Sequence, residues 1–544
     1  MAGLAAALVL GQATLAAKGQ TAPVEPRATK PATSQEKELD WWKNAVIYEI
    51  YPRSFQDTNG DGIGDLKGIT KRLDYLKELG VDAIWLTPIY PSPQVDFGYD
   101  ISDYRAIDPQ YGTMADFDRL VAEAGKRHIR VIMDMVMNHT SDQHKWFLES
   151  RSSRTNPYRD WYIWRNPKVH EAFKDILAFW LQRGVGGFRF DAITELYEDP
   201  EMRDEGAVKD ANGNPIINAF GDPELDNSRT SNQPGLHEAV AEMRAEADKF
   251  DFRSFPGTRV MIGETYMPNI AELAKMYGTQ QKPEFHLPMD TQVGMINKLD
   301  VATFRSKLTD IETRIDGNVP MLLFDNHDNP RIDMRYGDGI HNTQIERVIA
   351  TVLFASRGAA LMYYGDEIGM VTTPPTRKED VKDPIGVTGW PKEKGRDGER
   401  TPMQWNTELN AGFTTGDPWL PVPPSAAEKN VEVERADPDS LFNWYRTLIH
   451  LKKTVPALEQ GANIMLDTEN TSVLSWLRQA PGAAQVVVSV NFTAQPQIVN
   501  LQSGGAGLAA ATLHTLLKSP GGVDPKSLDQ IVLAPFGIYI GEEQ

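Results

Sequence analysis

Three apolar runs in this 544-residue chain each end in a carboxylate: Gly186-Gly187-Phe188-Arg189-Phe190-Asp191, Val260-Met261-Ile262-Gly263-Glu264 and Leu323-Phe324-Asp325-Asn326-His327-Asp328. A single acid at a strand end is more often a turn cap or a hydrogen-bond acceptor. Three of them converging on one place, with Arg189, His139 and His327 beside them, are costly to bury together and call for a use. Retaining glycoside hydrolysis is such a use: one ionised carboxylate attacks the anomeric carbon while a second, kept protonated, protonates the leaving oxygen. Arg189 stands two residues before Asp191, so in a strand both point to one face and the guanidinium can hold that carboxylate ionised. Asp191 is therefore the expected nucleophile. No Arg or Lys immediately precedes Glu264, so neighbouring carboxylates can raise its pKa, as a general acid requires.

A second constellation is Asp57-Thr58-Asn59-Gly60-Asp61-Gly62-Ile63-Gly64-Asp65, with oxygen ligands at alternate positions and glycines between them. This suits a hard cation, and calcium is the expected cofactor. The twelfth position is Gly68 rather than Glu, which excludes a true EF-hand, and the alternative is a metal-free loop of Asx turns. There is no His-Glu-x-x-His, no phosphate loop and no cysteine, so zinc, nucleotide and thiolate chemistry lack their usual ligands. Trp161, Tyr162 and Trp164 could stack on sugar faces, although core packing is the commoner fate of such residues.

The elements that must carry these residues alternate. Short runs rich in β-branched and aromatic residues at 45–51, 83–86, 130–136, 187–190, 259–263, 284–288, 321–324 and 359–363 are expected strands. Stretches such as 66–79, 117–127, 168–182 and 344–355 carry apolar residues at helical spacing. Eight strands alternating with helices predict a (β/α)8 barrel, an α/β fold whose sites lie at the strand C-terminal face. The long insertions at 198–232 and 371–424 both follow strands and so belong to that face. A helix at 439–453 closes the barrel, and runs at 473–476, 485–491 and 530–540 predict a small antiparallel β domain.

Hydrophobic residues at 41% and charged residues at 24% are ordinary for a globular protein. A net charge of −19 excludes a phosphate-backbone binder, so no nucleic-acid partner is expected. Residues 4–17 are apolar and small, and residues 18–38 are polar and contain Pro, which together read as an export signal and a linker and place the protein outside the cell or in a periplasm. No other run approaches the roughly 20 apolar residues of a membrane span. The expected organisation is a signal at 1–17, a linker at 18–39, the barrel at 40–455 and a β domain at 456–544. Oligomeric state is not legible here.

Taken together, these residues resemble the alpha-amylase superfamily, glycoside hydrolase family 13, and within it the α-glucosidase and oligo-1,6-glucosidase branch. The resemblance rests on residues 45–55, Gly98-Tyr99-Asp100-Ile101-Ser102-Asp103-Tyr104, Asp134-Met135-Val136-Met137-Asn138-His139-Thr140, residues 187–192, Gly263-Glu264-Thr265, Asn326-His327-Asp328, Tyr364-Gly365-Asp366-Glu367-Ile368-Gly369 and Arg400-Thr401-Pro402-Met403-Gln404-Trp405. It implies Asp191 as nucleophile, Glu264 as acid/base and Asp328 as a third acid that orients the sugar. It also implies that Tyr99 stacks on glucose, that His139, Arg189 and His327 bind its hydroxyls or the acids, and that Asp96 and Arg396 close the pocket around a non-reducing end. Asp57, Asn59, Asp61, the Ile63 carbonyl and Asp65 match the branch's calcium loop, and Ala192 is similar to α-1,4-acting members. The implied C-terminal domain is a β-sandwich.

One departure stands out: the long subdomain B that the family inserts after the third strand is cut to residues 138–167, which bears on the wall of the cleft and the leaving-group subsites. The implied activity is a retaining, exo-acting α-glucosidase on a small oligosaccharide. The alternatives are a glucosyl transferase or isomerase using the same acids, and a sugar-binding or interaction protein impaired by the missing subdomain; the superfamily's noncatalytic transporter heavy chains are a separate class that lacks the full acid set this chain keeps. Labelling of Asp191 by a mechanism-based glucoside separates an enzyme from a binding remnant.

Overall fold

A computed structural model describes residues 39–162, 167–218, 222–251, 257–501, 512–525 and 527–544. The expected signal, nearly all of the linker and Trp164 lie outside the described residues. Eight parallel strands form one sheet: β1 Val46–Ile50, β2 Ala83–Leu86, β3 Arg130–Val136, β4 Gly187–Asp191, β5 Val260–Gly263, β6 Leu287–Pro288, β7 Met321–Leu322 and β8 Ala359–Tyr363. Their order is β6-β5-β4-β3-β2-β1-β8-β7, and an isolated parallel bridge between Met289 and Met321 joins the two edges. The sheet is thus a barrel. β6 and β7 are shorter than the runs that announced them. Beyond Leu322 the chain leaves the sheet for the loop that carries His327 and Asp328.

Side-chain alternation sorts each strand into two cores. Ala45, Ile47, Ala83, Trp85, Ile132, Val260, Ile262, Leu287, Met321 and Leu361 fill the barrel interior. Tyr48, Ile50, Ile84, Val131, Met133, Phe188 and Phe190 pack outward against the helices. The helix Met114–Lys126 is typical: Thr113 and Asp116 form a capping box, and Phe117, Leu120 and Ala124 are the buried face. Phe117 and Leu120 each contribute about 1.5–3 kcal/mol by leaving water.

Among the described residues between β3 and β4, the elements are the helix Lys145–Ser152, one turn at Arg159–Trp161 and the helix Pro167–Gln182. Trp161 packs against Trp146, with ring centroids 4.9 Å apart, and Tyr162 meets Phe147 at 5.1 Å. Both serve the packing of this short segment. The segments after β4 and β8 rise from the end of the barrel that carries Asp191, the first of them pinned by isolated bridges such as Ala207–Leu225.

The C-terminal strands are β9 Ala462–Leu466, β10 Val473–Gln479, β11 Val486–Asn491, β12 Gln497–Val499, β13 Leu513–Lys518, β14 Ile531–Leu533 and β15 Ile538–Glu543. They form a five-stranded sheet in the order β13-β15-β11-β10-β9 and a two-stranded sheet of β12 and β14, with Leu466, Leu477, Val487, Val499 and Ile531 between them. The opposite face of the larger sheet, including Trp476, Val488 and Ile540, joins the barrel's outer core, and Arg478 anchors it by donating to the Ala355 carbonyl at 2.6 Å. Among the described residues, no helix is long and apolar enough to cross a membrane.

Candidate active site

The interior of the barrel changes character along its axis. Ala45 and Ile47 lie in the apolar plug, but the next inward position on β1 is Glu49. On β3, Asp134 follows Ile132 at the same spacing, and on β4 Gly187, Arg189 and Asp191 share the inward face. Glu49, Asp134 and Arg189 are at most 1% exposed. Strands buried on both faces leave a charge no route to water, so these groups must satisfy one another.

Arg189 does most of this. Its Nη1 donates to Asp134 Oδ1 at 3.1 Å and to Asp191 Oδ1 at 2.6 Å, and its Nη2 lies 2.9 Å from Glu264 Oε1. The chain turns directly after Asp191 through Ala192, whose φ of 42° is left-handed. That conformation costs a non-glycine residue about 1–2 kcal/mol and aims the Ala192 N–H at Glu264 Oε2, 2.6 Å away. The expectation that Arg189 favours the charge of Asp191 in particular is corrected here: β4 and β5 are adjacent, so one guanidinium serves both acids. Burial pushes Asp191 up to about 7 against the opposing pull of Arg189, and Glu264 likewise to about 7. Asp134, also raised first by burial, comes to about 6. Electrostatics therefore leaves Asp191 and Glu264 nearly level in the free protein.

Asp328 is different. Its Oδ1 accepts from Arg396 Nη1 at 2.7 Å and Arg400 Nη2 at 2.8 Å, and its Oδ2 lies 3.1 Å from His327 Nε2. Burial alone would raise its pKa, but His327, Arg400, Arg396 and Arg189 together hold it well below the usual carboxylate range. Tyr99 lies flat on His327, with centroids 5.3 Å apart and planes 5° apart, and its hydroxyl meets His327 Nε2 at 2.7 Å and Asp134 Oδ2 at 3.2 Å. Arg396 also reaches Asp96 at 2.8 Å and is gripped by the fully buried Asp383 through Nε at 3.0 Å and Nη2 at 2.8 Å.

The structure thus brings together Asp96, Tyr99, Arg189, Asp191, Glu264, His327, Asp328 and Arg396. His139 stands at the rim near the backbone of Tyr99 with part of its ring open to solvent, and desolvation by the surrounding chain lowers its pKa. Sequence reasoning missed Glu49, Trp85, Asp134, Asp383 and Arg400 as members of this cluster. For Glu49 and Asp134 a signal existed, namely a lone acid in the middle of a run destined for burial on both faces.

The loop of residues 57–65 has calcium's oxygen donors, yet its carboxylates turn onto the loop itself. Asp57 Oδ1 accepts the N–H groups of Asn59 at 2.8 Å and Gly60 at 2.9 Å, and its Oδ2 accepts from Gly62 at 2.9 Å. Asp61 Oδ1 accepts from the Ile63 N–H at 2.9 Å. Asp65 caps the following helix through the Gly68 N–H at 2.7 Å. Among the described residues no group of three or more His, Asp or Glu side chains converges as metal ligands do. The donor chemistry fits calcium, while the arrangement is that of an Asx-turn loop.

The chain matches the family description "alpha amylase, catalytic domain" over residues 49–171 and 164–461. The match breaks where the connection between β3 and β4 is short. An oligo-1,6-glucosidase of Parageobacillus thermoglucosidasius is 36% identical over 536 alignment positions, covering 85% of this chain and 92% of that protein. A solved alpha-glucosyl transfer enzyme superposes with a TM-score of 0.82 at 33% identity, covering 93% of this chain and 99% of that one. A trehalulose synthase does so with 0.81 at 33%, covering 92% and 100%. On this evidence the chain belongs to the alpha-amylase family, glycoside hydrolase family 13, and is a glycoside hydrolase.

Proposed function

We propose that this glycoside hydrolase is a retaining, exo-acting α-glucosidase that removes terminal α-linked glucose from maltose- and isomaltose-type oligosaccharides. The observation that carries the reading is the single guanidinium of Arg189 shared by Asp191 and Glu264, two carboxyls each raised by burial to about 7. Near neutral pH such a pair holds about one proton between them, and retaining hydrolysis requires one carboxylate and one acid. Asp191, on the shorter bond to Arg189, is the nucleophile. Its oxygen attacks the anomeric carbon as the glycosidic C–O bond breaks, and Glu264 gives its proton to the leaving oxygen. Glu264, now a carboxylate, takes a proton from water. The water oxygen attacks the same carbon, the ester to Asp191 breaks, and α-glucose departs with its configuration retained.

Asp328, kept ionised by Arg396 and Arg400, accepts hydrogen bonds from sugar hydroxyls, with His327, Tyr99, Arg189 and His139 completing the glucose subsite. The Asp96–Arg396 ion pair closes the far end, which supports removal of a terminal residue over internal cleavage. Calcium belongs to the same proposal as a structural ion held by Asp57, Asn59, Asp61, the Ile63 carbonyl and Asp65, taking no part in bond making.

A second reading is transfer of glucose to a sugar instead of water. The similarity to glucosyl-transferring structures and the exposed His139 beside the short connection favour it. NMR-followed incubation with maltose and with isomaltose separates the two. Net release of α-glucose, lost in Asp191→Asn and Glu264→Gln, supports hydrolysis; accumulation of new linkages supports transfer. No turnover of either sugar or of an activated aryl α-glucoside by folded, calcium-supplied protein sinks both.

A further inference from the structure

The donors and acceptors around His327 can be counted to an end. Asp134 already accepts from Trp85 Nε1 at 3.1 Å and from Arg189, and it is the acceptor for the single proton of the Tyr99 hydroxyl. Having given that proton to Asp134, Tyr99 can only accept from His327 Nε2, 2.7 Å away. Asp328 Oδ2, an ionised acceptor, lies 3.1 Å from the same nitrogen. Both neighbours of Nε2 therefore require a proton on it. The other ring nitrogen, Nδ1, faces Glu49 Oε1 at 2.6 Å. The tautomer of a histidine is set by the partner of its second nitrogen, and that partner here comes from β1.

We infer that Glu49 is a positioning residue of this site: as a neutral carboxylic acid it donates to Nδ1 of His327 and so fixes the Nε2–H that faces Asp328 and the sugar. The inference rests on the reading of Asp328 and His327 as the glucose-orienting pair. The setting supports the neutral form. Glu49 is fully buried, and its Oε2 has no hydrogen-bond partner among the described residues, a poor place for a full negative charge. Facing it are Arg189 from β4, Asp134 from β3, Tyr363 from β8, and His327 and Asp328 from the loop after β7. Burial raises its pKa most; Arg189 and the His327 backbone N–H, which donates to Oε1 at 3.3 Å, pull it down, and Asp328 and Asp134 push it up, leaving it well above the usual carboxylate range. His327, pushed well down by burial, stays neutral, so the proton on the short Glu49–Nδ1 bond belongs to the carboxyl.

The test is 15N NMR of the full chain labelled at histidine, with His327 assigned through its loss in His327→Asn, alongside kinetics of Glu49→Leu and Glu49→Gln. The parent should have a protonated Nε2 and a bare Nδ1. Glu49→Leu should lose that pattern and drop in kcat on the order of 10²-fold, the scale of a misplaced catalytic group. Glu49→Gln, whose amide can still donate to Nδ1, should recover both the imidazole signature and most of kcat. A bare Nε2 or an imidazolium in the parent overturns the inference, as does an unchanged imidazole in Glu49→Leu. The parent spectrum decides even if a variant fails to fold. A parent that turns over no glucoside refutes the proposed function, while its spectrum still decides the place of Glu49's proton.

Discussion

Replacing Arg189 by Met is the most informative single perturbation of the protein's stability. The guanidinium is wholly buried and meets Asp134, Asp191 and Glu264 at 2.6–3.1 Å, so the variant strands three carboxyls in the barrel. Removing one partner of a buried charge pair costs about 3–5 kcal/mol when the other charge stays ionised. These carboxyls have an escape, because they can take up protons. Already at about 6, 7 and 7 with Arg189 present, they rise further without its lowering pull. A carboxyl whose folded pKa exceeds its unfolded value of about 3.9–4.3 binds more protons when folded, so its contribution falls as pH rises from the unfolded value through the folded one. In the parent that loss is complete soon above pH 7, and in the variant it continues to higher pH. The variant should therefore be about 3–5 kcal/mol less stable near pH 8, with the difference shrinking toward zero near pH 5, where the carboxyls are protonated in both proteins. Urea unfolding followed by circular dichroism at pH 5, 6.5 and 8 measures this. A penalty that is constant with pH, or that grows on acidification, would refute the reasoning that burial and Arg189 jointly set these ionisations.

Other outcomes follow from the same geometry. Because the proposed pair, Asp191 and Glu264, needs one proton shared between two groups near 7, kcat/KM should trace a bell centred near neutrality; a flat profile from pH 5 to 9 would count against the pair. Asp383→Asn removes the buried carboxylate that grips Arg396 on two nitrogens, and should raise KM about tenfold, the effect of roughly 1.4 kcal/mol from a charge-assisted bond, with a smaller change in kcat. Unchanged KM would mean that Asp96 and Asp328 suffice to hold Arg396. Chelation of calcium should lower Tm by several degrees, with recovery on adding calcium but not magnesium; a Tm indifferent to chelator would leave the 57–65 loop as Asx turns alone.

Much of the site was legible because period-two alternation converts sequence spacing into shared faces. Arg189 and Asp191, two apart on one strand, had to point the same way, and in the structure they touch. That Arg189 would serve Glu264 as well as Asp191 was not legible, for the complementary reason. Spacing along one strand says nothing of the strand beside it, and β4 lies against β5. Trp161 and Tyr162, for which core packing was the commoner expectation beside sugar stacking, pack into their own short segment, since large aromatic surfaces are buried wherever a neighbour permits.

The sequence by itself determined the barrel, the end of it that carries the chemistry, the candidate acids, and the shortening between the third and fourth strands, because strand number, strand-end residues and connection lengths are all local properties of the chain. Only the tertiary structure decided which polar groups meet across elements: Arg189 with Asp134 and Glu264, Arg396 with Asp383, and Glu49 with His327. Such partners are 13 to 278 positions apart in sequence when they lie on different elements, and only closure of the sheet brings them within hydrogen-bond distance. Ionisation follows from that packing, since burial and the final set of neighbours, rather than residue type, determine where each proton rests.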